Sequence, residues 1–160
     1  MAKVSLAARL GMDSGVRPST TQNGTNDVVW PVASNDKDYF VERNGVKFAG
    51  THLLIDLWGA EKLDDLSVVE KALTEAAEVA GATLLHTHLH HFSPNGGISG
   101  VLVLAESHIS IHTWPERAYA ALDIFMCGAC DPYKAIPVLR AAFNPSQVVL
   151  GEQKRGMVAA

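Results

Sequence analysis

Only two of the 160 residues are cysteine, too few for a disulfide framework, so a disulfide-stapled secreted scaffold is excluded. No apolar run approaches the roughly 20 residues a bilayer-spanning helix needs, which excludes a helical membrane span. The first ten residues, Met1 to Leu10, hold no apolar stretch long enough for a secretory signal. A reducing cytoplasm is therefore the expected compartment. Lys and Arg nowhere cluster and the net charge is −4, so neither nucleic acid nor an anionic membrane surface is an expected partner. Two catalytic signatures are missing as well: a glycine-rich phosphate loop after a strand, and a G-x-S-x-G elbow. What is present is a chain 48% hydrophobic and 19% charged, the balance of one globular domain with a real core.

The chain divides in two by composition. From Gly11 to Asp27 it is mostly Gly, Ser, Thr, Asn, Asp and Gln, which cannot bury enough surface to offset the entropy of ordering. Residues 1–44 read as a flexible N-terminal tail, with Val28-Val29-Trp30 able to dock locally, and residues 45–160 as the domain. Thr51 to Trp58 has the β-branched and aromatic content of a strand. Ser67 stands three residues before Glu70, the spacing of a capping box. Val69, Ala72, Leu73, Ala76, Ala77 and Ala80 then keep helical intervals up to the stop at Gly81.

Strands are expected at 83–90, at 98–105 (apolar enough to be buried on both faces), at 108–113, at 119–126 and near 147–152. Asp131-Pro132 opens a second helix whose Pro137 should kink or shorten it. The order β-α-β-β-β-β-α-β, with short turns between consecutive strands, predicts an α+β fold: an antiparallel sheet with helices on one face.

Three clusters can carry chemistry. His86, His88 and His90 alternate, so a strand points all three to one face, where zinc would still need a ligand from elsewhere. No second ligand pair stands at a recognisable spacing. The plain reading is a polar face bordering solvent or a subunit interface. Cys127-Gly128-Ala129-Cys130 is a C-x-x-C between a strand and a helix, but too late in the chain for a thioredoxin-like sheet. An activated single thiol at Cys127 is the alternative to a buried inert cysteine.

The third cluster is Ala105 to Glu116, with two serines, two histidines and two glutamates. Its plain reading is a strand with one solvated face. As a hydrolase site it is poor, with Asp123 the only nearby third member for a triad. Strict alternation puts Ser107 and His112 on opposite faces, because their offset of five is odd. For the two to cooperate, the chain must turn near Ser107 or the bond before it must be cut. That oddity fits a serine that attacks its own backbone.

AESHISIHTWPE followed by YAALDIFMCG, with GTHLLIDLWGA and AGAT upstream, HHFSPNGGISGV and the closing EQKRG, resembles the short prokaryotic S-adenosylmethionine decarboxylase proenzymes over about residues 45–156. The resemblance implies two-layer protomers that pair sheet to sheet into an αββα sandwich, as a homodimer with each active site shared between subunits. It implies that Ser107 Oγ attacks the Glu106 carbonyl to give an ester. Loss of the Ser107 Cα proton to His112 would follow, with Ser99 assisting by hydrogen bonding. Cleavage at Glu106 would leave a β chain, 1–106, and an α chain, 107–160, headed by a pyruvoyl group.

By the same resemblance, that covalent cofactor forms a Schiff base with S-adenosylmethionine and withdraws electrons as carbon dioxide leaves, toward spermidine synthesis. Cys127 would then return a proton, Glu116 would hold the ribose hydroxyls and Phe92 would lie against the adenine; no metal is implied. The Pro94–Gly97 loop is one residue longer than usual, Arg117 stands where tyrosine is frequent and Met126 where threonine is common. All three are expected near the substrate's nucleoside. The alternatives are the same scaffold acting on ornithine or arginine, and a non-enzymatic metal-binding module built on His86, His88, His90 and the cysteines.

Overall fold

A computed structural model of the protein describes residues 40–158. Its centre is a six-stranded antiparallel sheet in the order β4-β5-β6-β7-β3-β8. The strands are β3 (Gly50–Trp58), β4 (Leu84–His91), β5 (Ile98–Leu104), β6 (Ser107–Trp114), β7 (Tyr119–Cys127) and β8 (Gln147–Arg155). Two helices, Leu66–Val79 and Ala135–Phe143, cover one face of this sheet. The predicted α+β layer is the observed one.

Alternation in the sequence explains the layering. In β3, Leu53, Ile55 and Leu57 point to the helices; in β6, Ile109 and Ile111 do; in β7, Ala120, Leu122 and Ile124 do. Val69, Leu73, Ala76 and Ala77 of the long helix and Leu139 and Phe143 of the short one complete that core. Each buried leucine or isoleucine removes enough apolar surface from water to contribute about 1.5–3 kcal/mol. β5 departs from its expected burial: Ile98, Leu102 and Leu104 are buried, but Val103 on the other face is 42% exposed. Within one chain the strand is covered on one side only.

Three local features differ from the expectation. The long helix is capped by Asp65, whose Oδ1 accepts from the backbone N–H groups of Ser67 and Val68 and from the Ser67 hydroxyl. Ser67 therefore lies in the first turn, and its hydroxyl serves the cap instead of being one. These bonds hold the Asp65 carboxyl below its usual range, the Ser67 hydroxyl contributing most.

Asp131 caps a 3-10 turn, Pro132–Lys134, and the α-helix proper begins only at Ala135. Pro137 then falls in the first helical turn, where its missing N–H has no partner to lose. The helix is shortened, as expected, and the proline costs little there. Finally, Val41–Arg43 (β1) pairs with Val46–Phe48 (β2) across Asn44-Gly45, both at positive φ, so ordered structure begins before residue 45. Residues 1–39, which hold most of the expected tail and Val28-Val29-Trp30, lie outside the described residues.

Candidate active site

β6 runs unbroken from Ser107 to Trp114, and its side chains alternate strictly. Ser107 faces the helix layer at one end of the sheet; His112 faces the opposite, open side. Five residues at about 3.3 Å each also separate them by roughly 16 Å along the strand. The chain does not bend to bring them together. Each instead gathers its own neighbours.

At the Ser107 end, β5 and β6 are joined by a two-residue loop, Ala105-Glu106, with Leu104 and Ser107 as the last paired residues. Glu106 sits at φ 58, in the left-handed region. A side chain other than Gly or Asn costs about 1–2 kcal/mol there. Ser107 is buried, and its Oγ accepts a hydrogen bond of 3.2 Å from the backbone N–H of Cys127, at the end of β7. Glu106, Cys127 and Cys130 line one cavity of about 270 Å³, with Gly81, Thr83 and Ala105.

The C-x-x-C forms a turn in which Cys130 N–H donates to the Cys127 carbonyl at 3.3 Å, and both thiols are free. Burial pushes the Cys127 thiol above its usual range, with the Glu106 carboxylate and Cys130 adding to the rise. At neutral pH Cys127 Sγ therefore keeps its proton.

At the other end, Ser99 on β5 lies directly across from His112 on β6. Their side chains meet, Ser99 Oγ to His112 Nδ1, at 2.8 Å. A second cavity of about 270 Å³ contains this pair together with Phe92, Asn95, Gly97, Thr113, Trp114 and Glu116. Phe92 is 48% exposed and braced edge-on by His90, 4.5 Å between centroids. Gly97 lets the loop close over the cavity, since a Cβ there would lie 2.9 Å from the Thr113 carbonyl oxygen. Glu116 stands in a 3-10 turn, Pro115–Arg117, that follows β6 directly.

The site residues expected from sequence thus fall into two groups: Glu106, Ser107 and Cys127 in one, Phe92, Ser99, His112 and Glu116 in the other. Asp123 belongs to neither. It lies across from Ser110 and accepts its hydroxyl hydrogen bond at 3.2 Å, with His52 Nε2 at 3.4 Å, so it completes no triad with Ser107 and His112. His108 stands beside His52 and Phe125, and its pKa is lowered, chiefly by burial.

His86, His88 and His90 do share a face of β4, all exposed, but they stand in a row at the sheet edge. Among the described residues no group of three or more His, Cys, Asp or Glu is placed to hold a metal ion. Met126 is a correction: β7 alternation turns it into the core, 2% exposed, away from the cavity of Ser99 and His112. Asn95 and Gly97 of the lengthened loop do reach that cavity.

Two participants had no sequence signal, because both are backbone: the Cys127 N–H on Ser107, and the left-handed φ of Glu106. Trp114, which the sequence does not single out, lines the second cavity. A tryptophan at an alternating open-face position was the available clue.

Residues 51–156 match the family model described as S-adenosylmethionine decarboxylase. The chain is 50% identical over 116 residues to the S-adenosylmethionine decarboxylase proenzyme of Methanococcus vannielii, a match covering 71% of this chain and 94% of the relative. It is 43% identical over 114 residues to the proenzyme of the same name from Thermomicrobium roseum, covering 71% and 98%. The crystal structure of the adenosylmethionine decarboxylase from Aquifex aeolicus superimposes with a TM-score of 0.63 at 36% identity, over 69% of this chain and 93% of that one.

Proposed function

The chain belongs to the S-adenosylmethionine decarboxylase family, and from that premise we propose that two copies assemble each active site, Ser107 and Cys127 coming from one and Ser99, His112, Glu116 and Phe92 from the other. The protein is a decarboxylase of S-adenosylmethionine made as a self-processing proenzyme, and the family's place is in polyamine synthesis. A basic amino acid as substrate and a purely metal-binding role give way to that assignment.

The observation that carries the two-copy reading is the division of β6. Ser107 and His112 point to opposite faces at opposite ends of a straight strand, while the face bearing His112 is uncovered in a single chain. Pairing two such faces in an antiparallel sense about a two-fold axis sets the His112 end of one copy over the Ser107 end of the other. It also covers Leu54 and Val103, which a single chain leaves 45% and 42% exposed.

Within the shared site each residue has a task that its surroundings favour. The Cys127 N–H donates to Ser107 Oγ and so fixes the hydroxyl that would attack the Glu106 carbonyl carbon. His112, with Nδ1 engaged by Ser99, keeps Nε2 for the Ser107 Cα proton. The buried position of Ser107 and its hydrogen bond to Cys127 suit a residue destined to become a pyruvoyl group. Such a group supplies an electron-withdrawing ketone that binds the substrate amine and takes up the electrons left when carbon dioxide departs. Cys127 Sγ, protonated at neutral pH, returns the proton. Phe92 offers an exposed ring to a flat base and a sulfonium, and the Glu116 carboxylate accepts from ribose hydroxyls.

Co-expression of a Ser107→Ala chain with a His112→Ala chain tests the arrangement. Neither variant should cut itself alone. Together they should yield cleavage of the His112→Ala chain only, read as two fragments separating after Glu106 by intact mass. Two well-folded variants that stay uncut when mixed would sink the shared site.

A further inference from the structure

The bond assigned to cleavage follows the one residue of the β5–β6 loop that is forced into left-handed backbone. We propose that the hairpin holds Glu106 in this conformation to drive the amide at residue 107 toward the ester, so that the strain of the turn is part of the processing machinery. The inference rests on cleavage before Ser107.

The loop is fixed on both sides of Glu106. Ala105 N–H donates to the Thr83 carbonyl at 2.9 Å. Ser107 is paired with Leu104, and its Oγ is held by the Cys127 N–H at 3.2 Å. Only two residues bridge the strands, and a tight turn with positive φ at its second central residue favours Gly or Asn there. Glutamate is not among them. With both neighbours pinned, Glu106 cannot relax within the intact hairpin and stays at φ 58. Of the other non-glycine residues with positive φ among the described residues, Asn44 and Asn144 carry the side chain that tolerates it, and Lys62 and Ala118 are remote from Ser107 in sequence.

The shift from amide to ester changes the length of the loop. Ser107 Oγ bonds to the Glu106 carbonyl carbon, the bond from that carbon to Ser107 N breaks, and the hydroxyl proton passes to the nitrogen, leaving a free amine. The path from the Glu106 carbonyl to Ser107 Cα now runs through Oγ and Cβ in place of a single nitrogen. One extra atom in a loop this short lets Glu106 leave the left-handed region. An amide is normally far more stable than its ester, and strain present only in the amide narrows that gap. The carboxylate plays no part in this step; it is exposed and the backbone does the work.

The test uses full-length chains carrying His112→Ala, in which processing should halt at the ester, and hydroxylamine, which cleaves the ester and spares the amide. With Glu106 in place, two fragments separating at 106/107 should appear. Glu106→Asn and Glu106→Gly should each lower the ester-to-amide ratio about tenfold, the equivalent of about 1.4 kcal/mol. Glu106→Gln, which keeps the strain and loses the charge, should leave the ratio unchanged. In chains carrying Ser107→Ala, where no ester can form, the Asn and Gly variants should melt at a higher temperature and the Gln variant at the same one.

Asn and Gly variants that trap as much ester as Glu106 overturn the inference. So does a Gln variant that loses as much as Asn, since the carboxylate would then be the actor. If the reference chain gives no fragment at 106/107 and the unsubstituted protein stays whole, cleavage before Ser107 itself fails, before any substitution at 106 is read.

Discussion

The two faces of the central sheet are built to different specifications. The helix-covered face is mainly aliphatic, with Leu53, Ile55, Ile109, Ile111, Leu122 and Ile124 almost completely buried and Thr51, Ser107 and Thr113 as its buried polar members. The open face carries the chemistry: His112 and Ser99 in one row, His108, Phe125 and His52 in another, and a stacked ladder of Trp114, Tyr119 and Trp58 in a third. One face is satisfied by the chain that makes it. The other holds polar groups and exposed aromatic rings that a second copy would cover. The fold is thus settled within one chain, while the proposed activity requires two.

The strongest test of this contrast compares one substitution on each face. Ile111→Ala opens a cavity in a closed core and should cost about 2–5 kcal/mol of a typical total of 5–15 kcal/mol. Its melting temperature and soluble yield should fall sharply at any protein concentration. Leu54→Arg, on the open face beside Asp123, should change the stability of the isolated chain by about 0.5 kcal/mol or less. A charge buried at a paired face is costly, so self-cleavage at micromolar protein should slow about a hundredfold or more. Sedimentation should show a folded single chain. Should Leu54→Arg melt as early as Ile111→Ala, the two faces do not differ in the way argued.

Next in size is the proposed proton donor. Cys127→Ala should give a chain that is fully cut, because processing uses only the backbone N–H of this residue, yet turns over about 10²–10⁴-fold more slowly. The pH profile sharpens the point. Burial raises the Cys127 pKa, and a donor works while protonated. Turnover of the processed protein should therefore hold through neutral pH and decline only above the ordinary thiol value of about 8.5. A decline centred at or below that value removes the thiol from the role.

How much of this the sequence disclosed follows the same divide. β-branched, aromatic and apolar content located the strands of the large sheet, alternation marked the faces of 108–113, and helical spacing with capping signals located both helices. The odd offset between Ser107 and His112 already requires opposite faces, and in one dimension it leaves either a turn near Ser107 or a cut in the bond before it. The unbroken β6 keeps the two residues on opposite faces, which supports the proposed sharing of the site between copies that the resemblance implies.

The Ser67–Glu70 spacing points to a cap at Ser67 that would serve Val69 or Glu70, whereas the carboxylate of Asp65, two residues earlier, takes the N–H groups of Ser67 and Val68. Val41–Arg43 falls inside the tail that composition marks off at residue 44, although Asn44-Gly45 is a strong hairpin signal. Met126 adjoins Cys127 in sequence, but alternation along β7 sends the two side chains to opposite sides. Backbone conformation at Glu106 left no trace, since a glutamate is rarely chosen for positive φ.

The smallest effect concerns the aromatic ladder and can measure pairing itself. Tyr119 stacks between Trp58 and Trp114, with centroids 4.3 and 5.3 Å away, and its hydroxyl donates to Asp56 Oδ1 at 2.7 Å. That hydrogen bond, with burial, pushes the Tyr119 pKa up to about 12, so the group remains a donor at any working pH. Tyr119→Phe keeps both stacks and removes only the donor. On an open surface Asp56 then turns to water, and the cost should be about 0.5–1 kcal/mol. Beneath a second copy Asp56 has less water to turn to, and the cost should rise to about 1–3 kcal/mol. Measured once in the native background and once with Leu54→Arg, the substitution should show the larger value only where the open faces can meet. Equal costs in the two backgrounds would place this row of the sheet outside any contact between copies, leaving the Ser99–His112 pair as the part of the face that a partner must reach.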